Sequence, residues 1–281
     1  CFVGDAAFQG LAVGFFDGVH LGHQAILKGA DAALTFRNHP LSVLAPEKAP
    51  RLIMTCEQRV AAVKACGVKE VVVLDFTRDL ALLPPGEFIS RHISSLVPRP
   101  SSLICGENWR FGKGGVGDAA FLRKLGFDVE VSPYVEYKDE AISSSRIRAT
   151  LERGEVEDAN AMMGRKFKVQ GSRFKGKGIG KGIGYPTINL ELSTLNLKLP
   201  LGVYEVEVAG QRAIANYGLA PTMGDKAWKM PILEVHILRS SPSDFASNST
   251  EVEFVRFIRP ERKFDSVQDL QRQIAADCAS L

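Results

Sequence analysis

The chain alternates compact apolar runs with stretches whose apolar residues recur at helical spacing, and this rhythm changes near Gly164. In the first half, Leu11–Phe16, Ala33–Phe36, Val71–Leu74, Leu103–Cys105 and Val129–Val131 read as strands. Gln24–Lys28, Glu57–Cys66, Gly86–Ser95 and Ala119–Lys124 read as helices between them. Alternation of this kind predicts a parallel, doubly wound α/β sheet, whose ligands bind beyond the carboxyl ends of the strands. After Gly164 the pattern becomes period two: Val203–Val208, Ala213–Asn216, Ile232–Leu238 and Val252–Ile258 predict antiparallel strands. Val267–Ala279 is the one long helical stretch there, expected to pack on the barrel such strands would form. The expected domains are 1–162 and 163–281.

Two places strain this pattern. Only Gly29–Ala32 separates the first helical run from the second strand, short for a crossover, which suggests residues missing there. Asp118–Gly126 suggests a smaller gap of the same kind. The chain opens on Cys1 rather than Met, so further residues are expected ahead of it.

Composition narrows the class. The 281 residues are 45% hydrophobic and 24% charged, ordinary values for two globular domains. A net charge of +3 permits anionic nucleotides without indicating a nucleic-acid surface. No apolar run approaches the about 20 residues that span a bilayer. The five cysteines (Cys1, Cys56, Cys66, Cys105, Cys278) form no C-x-x-C pair and no metal spacing, so free thiols and a cytoplasmic location are expected.

The most informative stretch is Gly14-Phe15-Phe16-Asp17-Gly18-Val19-His20-Leu21-Gly22-His23. A strand followed by two imidazoles around a glycine, at a helix start, has the makings of a phosphate site. Gly22 allows close backbone approach, the helix terminus supplies N–H groups, and His20 and His23 can donate to an oxyanion on phosphorus. Asp17 suits either a turn or the orientation of His20. A second element, Ile142-Ser143-Ser144-Ser145-Arg146-Ile147-Arg148, places serines at a helix N-terminus beside alternating arginines. It reads as a triphosphate cradle or as a capped surface helix. Apolar Ile147, Leu151 and Val156 give that helix its buried face.

In the second half, the Gly/Lys-rich run 174–190 lacks the P-loop pattern G-x-x-x-x-G-K-[ST]. Its Gly176 and Gly178 suit a backbone wrap around phosphate, or a flexible basic loop. Gly184-Tyr185-Pro186-Thr187-Ile188-Asn189 adds weight: strand alternation turns Thr187 and Asn189 to one face as hard oxygen donors suited to Mg²⁺. Glu234, between Leu233 and Val235, shares a strand face with Ile232 and His236, and by itself reads as an exposed strand carboxylate.

GFFDGVHLGHQ, TFRNHPLSVLAPEKAPRLI, CGENWRFGKGGVGD and ISSSRIR, in this order, resemble the adenylyltransferase half of the bacterial bifunctional riboflavin kinase/FAD synthetases. The remainder resembles their kinase half. The resemblance implies an α/β plus β chain: a Rossmann-like nucleotidyltransferase domain, then an antiparallel β-barrel flavokinase domain with a closing helix. It implies phosphorylation of riboflavin to FMN in the barrel, then adenylyl transfer from ATP to FMN, giving FAD and pyrophosphate. Carried onto this chain, it gives His20 and His23 to the α-phosphate. Gly14, Phe16, Asp17, Gly22, Ser143, Ser144, Ser145 and Arg146, with Gly176, Gly178 and Gly184, go to ATP. His39, Asn108, Arg110 and Arg259 go to the flavin, Thr187 and Asn189 to Mg²⁺, and Glu234 to the proton of the riboflavin 5′-hydroxyl. Arg110 and Lys113 also suit a solvated loop.

The chain departs from the family at Arg37-Asn38, at Ile188 where alanine is usual, and across 239–248, where an acidic tyrosine-containing turn is usual. Partners implied are small molecules only, with no nucleic acid and no membrane, in a monomer or weak homo-oligomer. Two other readings are a nucleotidyltransferase acting on a different phosphorylated substrate and a flavin-binding protein with decayed sites. The kinase motifs oppose the first, and retention of His20, His23, Ser144, Arg146, Thr187, Asn189 and Glu234 opposes the second.

Overall fold

The computed structural model describes residues 9–96, 100–175, 179–192, 199–219, 231–238 and 249–281. Gly176, Gly178 and the atypical 239–248 stretch lie outside the described residues. Two compact units result, Cys1–Ser144 and Ser145–Leu281.

The first unit runs β1 (Gly10–Val13), α1 (Leu21–Leu27), β2 (Ala32–Phe36), α2 (Leu41–Leu44), α3 (Cys56–Ala65), β3 (Glu70–Leu74), α4 (Arg78–Leu82), α5 (Pro85–His92), β4 (Ser102–Gly106), α6 (Ala119–Lys124) and β5 (Asp128–Ser132). A small hairpin follows, β6 (Glu136–Tyr137) and β7 (Glu140–Ala141). The five main strands form a parallel sheet in the order β3-β2-β1-β4-β5. The order reverses between β1 and β4, so the crevice for a ligand opens at their carboxyl ends. Both faces of the sheet are covered, as a parallel sheet requires. Leu11 and Val13 pack with Leu34, Phe88, Ile89, Leu103 and Leu122 on one side. Ala12 packs with Leu27, Ala33, Val63 and Ile104 on the other.

Two expectations need correction. The first strand ends at Val13, not Phe16: Phe16 turns to φ 57° and Val19 to φ 38°. The first helix starts at Leu21, three residues before the expected Gln24. With that start, residues 14–31 carry a turn, a helix of 7 residues and a return. The Asp31 carboxylate then accepts from the N–H groups of Gln9 and Gly10, and the parallel register Leu11↔Ala32 holds. In the second strained segment, Asp118 caps α6.

The helix α7 (Ser144–Glu152) starts on the last residue of the first unit and runs into the second, followed by α8 (Val156–Met163). The helical spacing read from Ile147 to Val156 is split at Gly154, whose φ of 81° ends the first helix. The barrel consists of β8 (Phe167–Phe174), β9 (Ile188–Leu192), β10 (Gly202–Val208), β11 (Gln211–Leu219), β12 (Pro231–Ile237) and β13 (Ser249–Pro260). A short α9 (Ile179–Gly182) precedes β9, and α10 (Val267–Ala279) comes last, over the residues expected. The six strands close antiparallel in the order β10-β11-β12-β9-β8-β13, leaving no edge among them. In β8 the apolar Phe167 and Val169 alternate with exposed Lys168 and Gln170, a period-two signal. Tyr204 fills the interior, ringed by Tyr217, Phe254 and Phe257, and its hydroxyl donates to the Pro200 carbonyl at 2.6 Å.

Leu103 lies fully buried in β4, at the middle of the first sheet. Leu103→Ala is expected to cost about 2–5 kcal/mol through lost burial and the cavity left behind, read as an earlier denaturation of the first unit.

Candidate functional sites

The loop after β1 carries the histidine pair. His20 caps α1: its Nδ1 accepts from the His23 backbone N–H at 3.3 Å. The two imidazoles stack with centroids 3.6 Å apart, and His23 meets the edge of Phe16 at 5.4 Å. Glycine at position 22 has a local reason, since a Cβ there would stand 3.2 Å from the His20 ring. Gly14 serves Phe16 likewise, where a Cβ would approach that ring to 2.8 Å. His23 Nδ1 is sealed from solvent without a hydrogen-bond partner. Burial, then His20, then Arg59 hold the His23 pKa well below 6.5, so its ring is neutral near pH 7.

Asp17 is almost wholly buried, and its carboxylate accepts from the N–H groups of Ile53 and Met54 at 3.1–3.2 Å. Its backbone carbonyl accepts from the Ser144 hydroxyl at 2.8 Å. Asp17 therefore braces the loop rather than presenting a free carboxylate to a ligand. Ser143 is exposed just before α7, while Ser145, in its first turn, accepts from Arg148 at 3.1 Å. Arg146, in the same turn, is half-buried.

The loops after the neighbouring strands bring up the other expected residues. After β2, His39 Nδ1 accepts from the Leu41 N–H and its ring meets Phe15 edge-on at 4.8 Å. Asn38 clasps the backbone of Phe76, and Arg37 pairs with Asp75 at 2.8 Å. The two residues that depart from the family thus tie β2 to the chain after β3. After β4, Asn108 is exposed, and Arg110 donates to the carbonyls of Glu107 and Trp109.

In the barrel, register supplies a row of side chains. Glu234 of β12 lies opposite Asn189 of β9 on one side and Asn216 of β11 on the other. Ile188 points into the core at 2% exposure, which leaves Thr187 and Asn189 on the opposite face, as alternation predicts. Glu261 accepts from the Asn216 amide at 3.3 Å. Partial desolvation and the charge of Glu261 push the Glu234 pKa upward, although its carboxylate reaches solvent. His236 hydrogen-bonds the Pro186 carbonyl at 2.9 Å and meets Tyr185 edge-on, holding the Gly184–Asn189 segment. Gln271 of α10 donates to the Ile183 carbonyl at the same segment. Gly184 itself is an exposed turn with φ 85°.

Arg259 is placed differently from the flavin contact expected. Its Nε and an Nη chelate the buried Asp277 of α10 at 2.7–3.1 Å, and its other Nη donates to Pro260. That bidentate pair seals the closing helix onto the barrel. The residues that had no role assigned from the sequence are His236 and Arg59. His236 follows Glu234 by two residues, a same-face signal. Arg59 precedes Val63 by four, which puts a cation on a buried helix face.

A sequence profile described as FAD synthetase matches residues 7–146, and one described as riboflavin kinase matches residues 163–281. The bifunctional riboflavin kinase/FMN adenylyltransferase of Bacillus subtilis is 32% identical, over 95% of this chain and 89% of its own length. That of Escherichia coli K12 is 32% identical, over 95% and 90%. A crystal structure of a Streptococcus pneumoniae protein named for macrolide efflux superposes with a TM-score of 0.86 at 29% identity, over 98% of this chain and 94% of that one. Among the described residues here, no helix is long and apolar enough to cross a membrane. The order of the two profiles is the order of the two units, sheet first and barrel second, and with the relatives' coverage it places the chain in the bifunctional riboflavin kinase/FMN adenylyltransferase family.

Proposed function

We propose that this chain divides the family's two reactions between two sites, with residues 163–281 phosphorylating riboflavin and residues 1–162 adenylylating the product. The observation that carries the first assignment is the register row Asn189–Glu234–Asn216. Glu234 accepts the proton of the riboflavin 5′-hydroxyl as its oxygen attacks the γ-phosphorus of ATP, giving FMN and ADP. The raised pKa makes Glu234 a stronger base than an ordinary carboxylate. Thr187 and Asn189 offer hard oxygen atoms on the Glu234 face, a donor set that fits Mg²⁺ and would hold it with the nucleotide phosphates. When bound, Mg²⁺ supplies charge neutralisation to those phosphates.

At the first site the attacking group is the FMN phosphate, already an oxyanion, so no protein nucleophile is required. The stacked His20–His23 pair at the α1 N-terminus is placed to donate to the α-phosphate as FAD and pyrophosphate form. A neutral His23 serves this role by hydrogen bonding. Ser143, Ser145 and Arg146 are assigned to the nucleotide phosphates, with Ser144 and Asp17 bracing the loop. His39, Asn108 and Arg110 are assigned to the flavin nucleotide. Arg259 is assigned to closing the barrel. The chain works on small molecules, as a monomer or weak homo-oligomer. Cys56, Cys66, Cys105 and Cys278 form no disulfide, and the cytoplasm is the setting we assign.

Incubation with riboflavin, ATP and Mg²⁺, followed by chromatography, should give FMN and then FAD. Glu234→Gln should lower riboflavin phosphorylation by about 10²–10⁴-fold while FMN adenylylation persists. His23→Ala should do the reverse, and loss of both steps in either variant would refute the two-site division.

The shifted groups also give opposite pH signatures. Native His23 binds fewer protons than the unfolded chain between its depressed pKa and 6.5. Its contribution to stability is therefore full above pH 6.5 and is lost as pH falls toward the native pKa. The thermal denaturation midpoint of the first unit should fall with acidification below 6.5, less steeply in His23→Phe. For Glu234, raised above 4.5, the ionised form costs stability, and that cost appears as pH rises through the native pKa. Glu234→Gln should therefore raise the denaturation midpoint at pH 7 and leave it nearly unchanged at pH 4.

A further inference from the structure

Arg59, in the first full turn of α3, is the largest fully buried side chain of the described residues, at 0% exposure. No carboxylate lies in salt-bridge contact with it among the described residues. One Nη donates to the carbonyls of Phe36 and Arg37, the last residue of β2 and the one after it. Nε and the other Nη are sealed from solvent with no partner. The guanidinium carbon lies 4.2 Å from the centre of the Phe15 ring, a cation–π contact with the loop that carries the histidine pair. Phe15 in turn touches His39, and its carbonyl accepts from the Thr35 hydroxyl at 3.0 Å.

A buried guanidinium without an ion-pair partner is costly. Packing alone does not require it, since an apolar side chain of similar length would fill the same volume. Its placement gives the reason. The carboxyl ends of parallel strands present carbonyl oxygens, the negative ends of peptide dipoles, toward the crevice where an anion must sit. Arg59 occupies two of those carbonyls at β2 and leaves net positive charge behind the loop. We propose that Arg59 is a positioning residue for adenylyl transfer, which converts the carboxyl edge of β2 into positive surroundings for the His20–His23 pair and locks the Phe15–Phe16 segment beneath it.

The charged and titratable neighbours are consistent with this. His23 faces His20 from its own loop and Arg59 from α3. Arg59 faces Asp17 from the loop and Cys56 and Glu57 from α3, and Arg37 faces the last two from the end of β2. Fixed charge in a water-poor site acts on developing phosphate charge without reorganisation, which is the usual source of large catalytic effects.

The inference rests on His20–His23 being the adenylyl-transfer centre. The test uses the full chain with Arg59→Met, which removes the charge, and Arg59→Lys, which keeps it but removes the fork. FAD formation from FMN and ATP is measured with its KM, riboflavin phosphorylation serves as the internal reference, and His23 is titrated by NMR of ¹³C-labelled histidine. Arg59→Met should lower kcat for FAD formation about 10²-fold, with a small effect on KM for FMN, and move the His23 midpoint up slightly, burial and His20 still holding it below 6.5. Arg59→Lys should keep the His23 midpoint near the native one and recover part of the rate, with riboflavin phosphorylation intact in both. Should Arg59→Met fail to fold, Arg59→Lys decides: a partly retained kcat for FAD formation with KM for FMN near the native value upholds the inference, and complete loss of FAD formation in a variant that still phosphorylates riboflavin overturns it. Equal losses in the two variants with an unmoved His23 would show a purely structural tie and also overturn it. Unimpaired FAD formation in Arg59→Met beside an inactive His23→Ala removes this inference alone, whereas an active His23→Ala removes the reading of the site itself.

Discussion

The first unit is organised by the burial of polar groups at the carboxyl ends of β1 and β2. Asp17, His20, Thr35 and Arg59 are all buried there, and each must find partners inside the protein. Asp17 takes the N–H groups of Ile53 and Met54, Thr35 takes the Phe15 carbonyl, and Arg59 takes the end of β2. These bonds leave the loop from Gly14 to His20 little freedom, which is why it tolerates left-handed φ at Phe16 and Val19. A phosphate site needs donors already aimed and a loop that does not reorganise during reaction. The strained, over-determined loop meets both needs, and the apolar packing on the two faces of the sheet supplies the stability it draws on.

The barrel solves a similar problem by register. Closed antiparallel pairing fixes which residues lie side by side, so Asn189, Glu234 and Asn216 meet on three adjacent strands although far apart in the chain. The second carboxylate, Glu261, reaches the same row from the end of β13 through Asn216. Arg259 and Asp277 close α10 over the adjoining strands, and Gln271 of that helix touches the turn before β9. The helix at the end of the chain thus helps hold the segment that presents Thr187 and Asn189.

Much of the fold was legible because local pattern and tertiary need agree. Strands buried on both faces read as apolar runs, and β2 to β5 fall within one or two residues of those runs. Val267–Ala279 reads as a helix because its cap at Ser266 and its periodicity coincide. Boundaries failed where the chain does something local pattern disfavours. Phe16 is apolar and so extends the reading of the first strand, yet it sits at φ 57° because the loop around it is pinned from outside. Arg259 reads as a candidate anion contact because it carries charge beside a site motif, and its partner Asp277 lies 18 residues away. Arg59 carries no motif, and its importance depends on burial, which composition does not report.

The sequence by itself determined the five parallel strands, four of the six barrel strands and the last helix, the change from parallel sheet to antiparallel barrel, the histidine pair, the Thr187–Asn189 face and the family. These depend on periodicity and short-range spacing, which the chain carries residue by residue. Only the tertiary structure decided that Asp17 braces a loop, that Arg59 places an unpaired charge behind His23, that Glu261 faces Glu234, and that Arg259 closes a helix. Each of those outcomes depends on which distant groups share a low-dielectric interior, and desolvation and pairing there are set by the packing of many elements at once.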